Sequence, residues 1–242
     1  MDGSVKVTEI PASRGASWLA ASWRLFSAAP LAWVGLCAGW IAVTFALLII
    51  PYVGMVAAHF LQPAFFASFA IAAYRQSAGE KIVMQDLFSG FRRNLKALVN
   101  LGAVLVMAKL VIFTAMALLG LPVLETGYGE PEVNVAELAD ALSGKEWILF
   151  LGIALLALVE AALWFAPQLI AFQGMGTVQA MRWSAYAAVS NAGALIVFGI
   201  CVFAMLIVAL LPWALGLIVA LPLMAISTYV GYHEVFEAPR PE

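Results

Sequence analysis

The stretch ALVNLGAVLVMAKLVIFTAMALLGL, residues 97–121, is apolar throughout apart from Asn100, Lys109 and Thr114. At about 1.5 Å per residue, a helix of this length spans a bilayer core of about 30 Å. Its apolar residues run continuously rather than alternating with polar ones, which favours a helix over a barrel strand. Five further runs of this kind occupy 31–50, 53–74, 147–171, 194–212 and 214–232. Six transmembrane helices are therefore expected, with no more than a tight turn at Pro212 and Trp213 between the last two. The fold class is an all-α polytopic membrane protein.

Composition leads to the same class. Hydrophobic residues make up 64% of the 242 and charged residues 11%, against about 45–50% and about 25% in soluble domains. A soluble interior of this size could not hide so much apolar surface, so membrane lipid is the first expected partner. A net charge of −2 argues against a basic nucleic-acid binder. Asp2, Lys6, Glu9, Arg14 and Arg24 precede the sustained apolarity that begins at Leu31, a pattern unlike a cleavable signal peptide. Cys37 and Cys201 each fall inside a span, where they read as small buried hydrophobes. With two histidines in the chain, no disulfide, metal site or cofactor is expected.

Basic residues orient the spans. Lys6, Arg14 and Arg24 precede span one; Arg75, Lys81, Arg92, Arg93 and Lys96 follow span two; Arg182 follows span four. The connection at 122–146 instead carries six acids and only Lys145. The expectation is a bacterial inner-membrane protein with the 1–30 segment and the 233–242 tail cytoplasmic and the acidic loop periplasmic. Within that loop, NVAELADAL offers Asn134 as a cap with Glu137 three residues on, signalling a short outer helix. Tyr52, Trp147 and Trp213 would mark the outer headgroup level, and Tyr74, Trp183, Tyr186, Tyr229 and Tyr232 the inner one.

A unit recurs three times. ASWLAASWRLFSAAP, MQDLFSGFRRN and TVQAMRWSAYAAVSN each precede a pair of spans, and each mixes aromatics with a basic residue. Trp18, Ser22, Leu25 and Phe26 fall at helical spacing, as do Met181, Ala185 and Val189. These segments read as short interfacial helices on the cytoplasmic side, apolar face in the acyl boundary. The architecture would be three hairpins, each led by such a helix.

The segments PASRGASWLAASWRLFSAAPLAW, QDLFSGFRRN and YHEVF resemble a family of uncharacterised multi-pass proteobacterial inner-membrane proteins. The resemblance implies a helical fold and an inner-membrane location. It brings no activity and no functional residues.

Lys109 lies about 18 Å along span three, and Glu160 sits at a matching depth in antiparallel span four. An unpaired charge at the bilayer centre costs about 2.5–3.5 kcal/mol. Snorkelling from the midplane is poor, because the lysine stem is short. Pairing meets the needs of both groups, although neutralisation or separate partners would also relieve them. A pair could lock two helices in register, or act as a proton-coupled or substrate-contacting pair in a cavity. His59 and Gln62 share a face of span two beside Pro63, and Pro167 and Gln168 follow Glu160. Interrupted helices with ionisable groups are the pattern of a transporter site. For His59 alone, a satisfied structural histidine is the simpler reading. Gly35 and Gly39 form a GxxxG spacing suited to close helix packing.

No GxGxxG, GxxxxGK[ST], HExxH or GxSxG pattern occurs, and the Gly174–Gly176 stretch GMG is too short to cradle phosphate. The functional expectation is a non-enzymatic membrane protein that organises or stabilises a partner membrane protein, a complex or adjacent lipid. The alternative is a small transporter or channel using Lys109 and Glu160. Oligomeric state is left open by the sequence.

Overall fold

The computed structural model describes residues 6–121 and 142–236; the outer helix read at NVAELADAL lies outside them except for Leu142. The described residues form α-helices and 3-10 turns with no strand. The helices are α1 (Arg14–Ala28), α2 (Pro30–Leu48), α3 (Val53–Ser77), α4 (Leu95–Leu118), α5 (Glu146–Trp164), α6 (Ala166–Gln173), α7 (Thr177–Ser190), α8 (Ala192–Leu210) and α9 (Leu217–Phe236). Among the described residues, six segments are long and apolar enough to cross a membrane: α2, α3, α4, α5 with α6 (Glu146–Gln173), α8 and α9. Each coincides with an expected span to within a few residues. The protein is an all-α polytopic membrane protein.

The bundle is tight at one end and looser at the other. At the tight end the chain's first and last described segments meet, with Thr8 N–H donating to the Val235 carbonyl at 2.8 Å. Arg14, on α1, pairs with Glu234 near the end of α9. Buried residues of α3 cluster from Pro63 to Ala73, toward this end, and those of α2 are Trp33, Leu36 and Cys37. At the other end the hairpin tips leave Tyr52 and Trp213 almost fully exposed. Both have positive φ, at 59° and 54°, a conformation disfavoured for bulky residues. Trp147 is exposed as well.

Several expectations change at the tight end. The face of α1 read as lying in the acyl boundary is covered by protein: Trp18, Ser22 and Phe26 are buried. α1 packs along α9 and α8, which its small and aromatic residues permit. Gly15 lies against the Ala194 backbone of α8, and the Trp18 ring lies against Gly231 of α9. The Ser22 and Ser227 hydroxyls meet at 2.9 Å between α1 and α9. Trp18 Nε1–H donates to Glu234 at 3.0 Å. The tail expected from residue 233 is therefore the last turn of α9 as far as Phe236. Tyr229 and Tyr232 are likewise buried rather than interfacial, packed in an aromatic group with Phe172.

The middle segment is not an α-helix. MQDLFSGFRRN folds into two 3-10 turns, Met84–Phe88 and Gly90–Arg92. Asp86 turns back to accept the Val83 N–H at 2.9 Å and pairs with Arg75, which closes a short turn rather than a long helix. Gly90 N–H donates to Ser68 Oγ of α3 at 2.9 Å, and a Cβ there would strike the Ala64 backbone. Only a glycine lets this turn lie so close to α3.

Gly35 and Gly39 do not form a seam with another α-helix among the described residues. A Cβ at Gly35 would meet open space, and Gly39 faces the side chains of Met84 and Leu87. Close helix approach is made instead at Gly15 and at Gly102, which abuts the Phe60 backbone of α3.

Candidate intramembrane ligand site

α4 and α5 pack against each other, with Ile112 and Met116 of α4 meeting Ile148 of α5. This contact brings Lys109 Nζ to 2.8 Å from Glu160 Oε1. Both residues lie about 20 Å from the tight end, counted along their helices. The side chains are 33% and 54% exposed, so the pair opens onto a space rather than being sealed between helices.

Beyond Glu160 the fourth span breaks. α5 ends at Trp164 and α6 begins at Ala166 with Pro167 in its first turn. Proline lacks the N–H that would continue the ladder. At the break, the Ser184 hydroxyl of α7 accepts the Phe165 N–H at 2.9 Å and donates to the Ala161 carbonyl at 3.1 Å. One side chain thus replaces a missing rung, as discontinuous backbone inside a membrane requires. Ser184 is fully buried, and Ser184→Ala removes a partner both from the Ala161 carbonyl and from the Phe165 N–H, which keeps only its contact with the Leu163 carbonyl. We expect a loss of about 1–3 kcal/mol, read as a lower unfolding midpoint in detergent. Ser190→Ala, on the same helix but outside the break, should leave the midpoint unchanged; equal shifts for the two would refute the bridging role.

Trp164 and Gln168, on either side of the break, line a partly open cavity of about 790 Å³ between the spans. α5 packs on α4 and α7, and α8 on α1, α7 and α9; residues of both α5 and α8 line the space between them. The walls are largely apolar, including Trp40, Phe66, Phe69, Leu105, Phe198 and Val202. Polar groups are few: Gln62, Lys109, Glu160, Gln168 and Thr228, with the indole N–H of Trp164. Thr228 is occupied, donating to the Ala225 carbonyl at 2.9 Å. Trp164 Nε1 and Gln168 Oε1 are buried without a hydrogen-bond partner.

Of the residues singled out from sequence, Lys109, Glu160, Gln62 and Gln168 share this cavity. His59 does not line it; its Nδ1 bonds the Met55 carbonyl at 2.8 Å on its own helix, on an exposed face. Gly35 and Gly39 take no part. Sequence reasoning missed Trp164 and Ser184. A signal for the break did exist, because Pro167 cannot donate to the Leu163 carbonyl and its ring disturbs the preceding turn, which then calls for a bridging side chain. Nothing in the sequence says which helix supplies it. Among the described residues, no group of His, Cys, Asp and Glu is arranged to hold a metal ion.

No family model matches the chain, and no solved structure matches it. A protein of Burkholderia thailandensis, named a probable inner membrane protein, is 27% identical over 206 residues, covering 83% of this chain and 76% of the relative. The chain is similar to a bacterial inner-membrane protein. With six apolar spans among its described residues, it is a multi-pass inner-membrane protein, in line with the resemblance read from its motifs. The relative's name states a location and no activity.

Proposed function

We propose that the protein holds a neutral amphipathic lipid in its intramembrane cavity, acting as a lipid-binding membrane protein rather than an enzyme. The observation that carries this reading is the apolar cavity lined by Trp164 and Gln168, whose Nε1 and Oε1 are each buried without a hydrogen-bond partner. A buried polar group left unsatisfied costs about 1–3 kcal/mol. A hydroxyl or protonated carboxyl group, which both accepts and donates, would satisfy the indole N–H or the carboxamide oxygen once a side-chain rotation turns that atom into the cavity. Lys109 and Glu160 already cancel each other's charge, which favours a neutral head over a phosphate. The volume falls in the range of ligand pockets, about 300–1,000 Å³, that combine apolar walls with a few convergent polar groups.

This reading keeps the lipid-organising expectation in a specific form. Transport along a polar path finds less support, because His59 lies outside the cavity lining. The tight end would face the cytoplasm with both termini, since Arg14, Arg75, Arg92, Arg93 and Arg182 gather there and basic residues are retained on that side.

Purification in mild detergent followed by native mass spectrometry and lipid extraction tests the proposal. Wild-type protein should retain a neutral hydroxyl- or carboxyl-bearing lipid. Gln168→Leu should weaken retention about tenfold, the equivalent of one hydrogen bond to a buried group. The same variant should not destabilise the lipid-stripped protein, because it removes an orphaned polar atom. Equal lipid content in wild type and variant would sink the proposal.

A further inference from the structure

A second cleft, of about 410 Å³, lies at the tight end between the last turn of α3 and the two 3-10 turns. Arg75, Arg92 and Arg93 line it, with Gln85, Asp86 and Ser89. The three guanidiniums differ in their state. Arg75 donates through Nε to Glu80 at 2.6 Å and pairs with Asp86, which is buried and held in turn by the Val83 N–H. Two carboxylates more than offset its charge and fix its geometry. Arg92 and Arg93 make no ion pair or side-chain hydrogen bond with any described residue.

Their backbone is nonetheless anchored. Arg92 N–H and Arg93 N–H donate to the Ser89 and Gly90 carbonyls at 3.2 and 3.1 Å, and Gly90 is tied to Ser68 of α3. Two uncommitted guanidiniums are thus presented on a rigid turn beside a neutralised third. Guanidinium forks suit phosphate oxygens, which they bind bidentately. Val83, Met84 and Phe88 of the same turn expose their apolar side chains. The cleft sits where α3 ends and α4 begins, at the end of two spans and so at the headgroup level.

We infer that this cleft binds the phosphate of an anionic phospholipid, with Arg92 and Arg93 on the phosphate and Val83, Met84 and Phe88 against the acyl chains. The shared chemistry is a phosphate monoanion, which a soluble phosphate ester could also supply. Val83 lines the cleft and Met84 and Phe88 are exposed on the same turn; this apolar surface favours the lipid, because a soluble anion has no use for it. The site is separate from the cavity, and it would stand if the neutral lipid were not found there.

Full-length protein stripped of lipid in detergent would be titrated, under native mass spectrometry, with phosphatidylglycerol, phosphatidylcholine and glycerol 3-phosphate. Phosphatidylglycerol should bind about tenfold tighter than phosphatidylcholine, with a preference that falls as salt rises. Arg92→Gln with Arg93→Gln should abolish the preference; Arg24→Gln should preserve it. Glycerol 3-phosphate should bind weakly. Equal binding of the two lipids by wild type would overturn the inference, as would a preference that survives the double substitution. Glycerol 3-phosphate binding as tightly as phosphatidylglycerol would overturn the lipid assignment in favour of a soluble anion. Should the double variant fail to fold, Arg92→Lys with Arg93→Lys serves in its place: it keeps the charge but loses the fork, and should retain only part of the preference. An undiminished preference there would overturn the role of the guanidiniums.

Discussion

Trp18→Ala is expected to lower the unfolding free energy of the protein in detergent by about 3–5 kcal/mol, the cost of emptying a large aromatic site in a core. The indole is fully buried between α1, α8 and α9, with its centroid 5.4 Å from that of Phe198. It also carries the hydrogen bond to Glu234. Its removal leaves a cavity and a carboxylate with one partner fewer. Trp23, on the same helix, is 52% exposed, so Trp23→Ala is the internal comparison and should cost far less. Thermal unfolding followed by intrinsic fluorescence measures both. If α1 merely floated in the interface, the two variants would behave alike, and that result would refute its packing role.

Lys109→Met is expected to cost about 2.5–3.5 kcal/mol, because it leaves Glu160 uncompensated at mid-membrane depth. Glu160→Met should cost a similar amount for the opposite charge. The double substitution should cost much less than the sum, since it removes both charges and leaves two unbranched apolar side chains. The double-mutant cycle therefore gives a large favourable coupling. Additive losses would show that the 2.8 Å contact contributes nothing to stability. The cycle also separates the pair from the lipid site: if the double variant keeps its lipid, the pair serves the helix register and the Trp164–Gln168 group serves the ligand.

Much of the fold was legible because the bilayer imposes a length on every span. Apolar runs such as 53–74 and 194–212 need no tertiary information to be recognised as helices, and the observed helices differ by only a few residues. The pairing of Lys109 with Glu160 was readable for the same reason: two charges at one depth on consecutive spans have few ways to be satisfied. Amphipathic segments were harder. Spacing alone cannot say whether Trp18 and Phe26 face lipid or protein, since both surroundings are apolar. Nor does the GxxxG spacing at Gly35 and Gly39 distinguish a packing face from an open one.

By itself, the sequence determined a helical membrane protein with six spans, its basic connections and a costly pair of charges in the membrane. Those conclusions follow from hydrophobic length and from the expense of charge in hydrocarbon, which act residue by residue. Only the tertiary structure decided that α1 belongs to the core, that QDLFSGFRRN is two short turns on α3, and that Ser184 repairs the break before Pro167. Each depends on which distant surface covers a residue, and a single chain's local pattern carries no record of that. The cavity joining Gln62 and Lys109 to Trp164 and Gln168 is of the same kind, a space that exists only between packed helices.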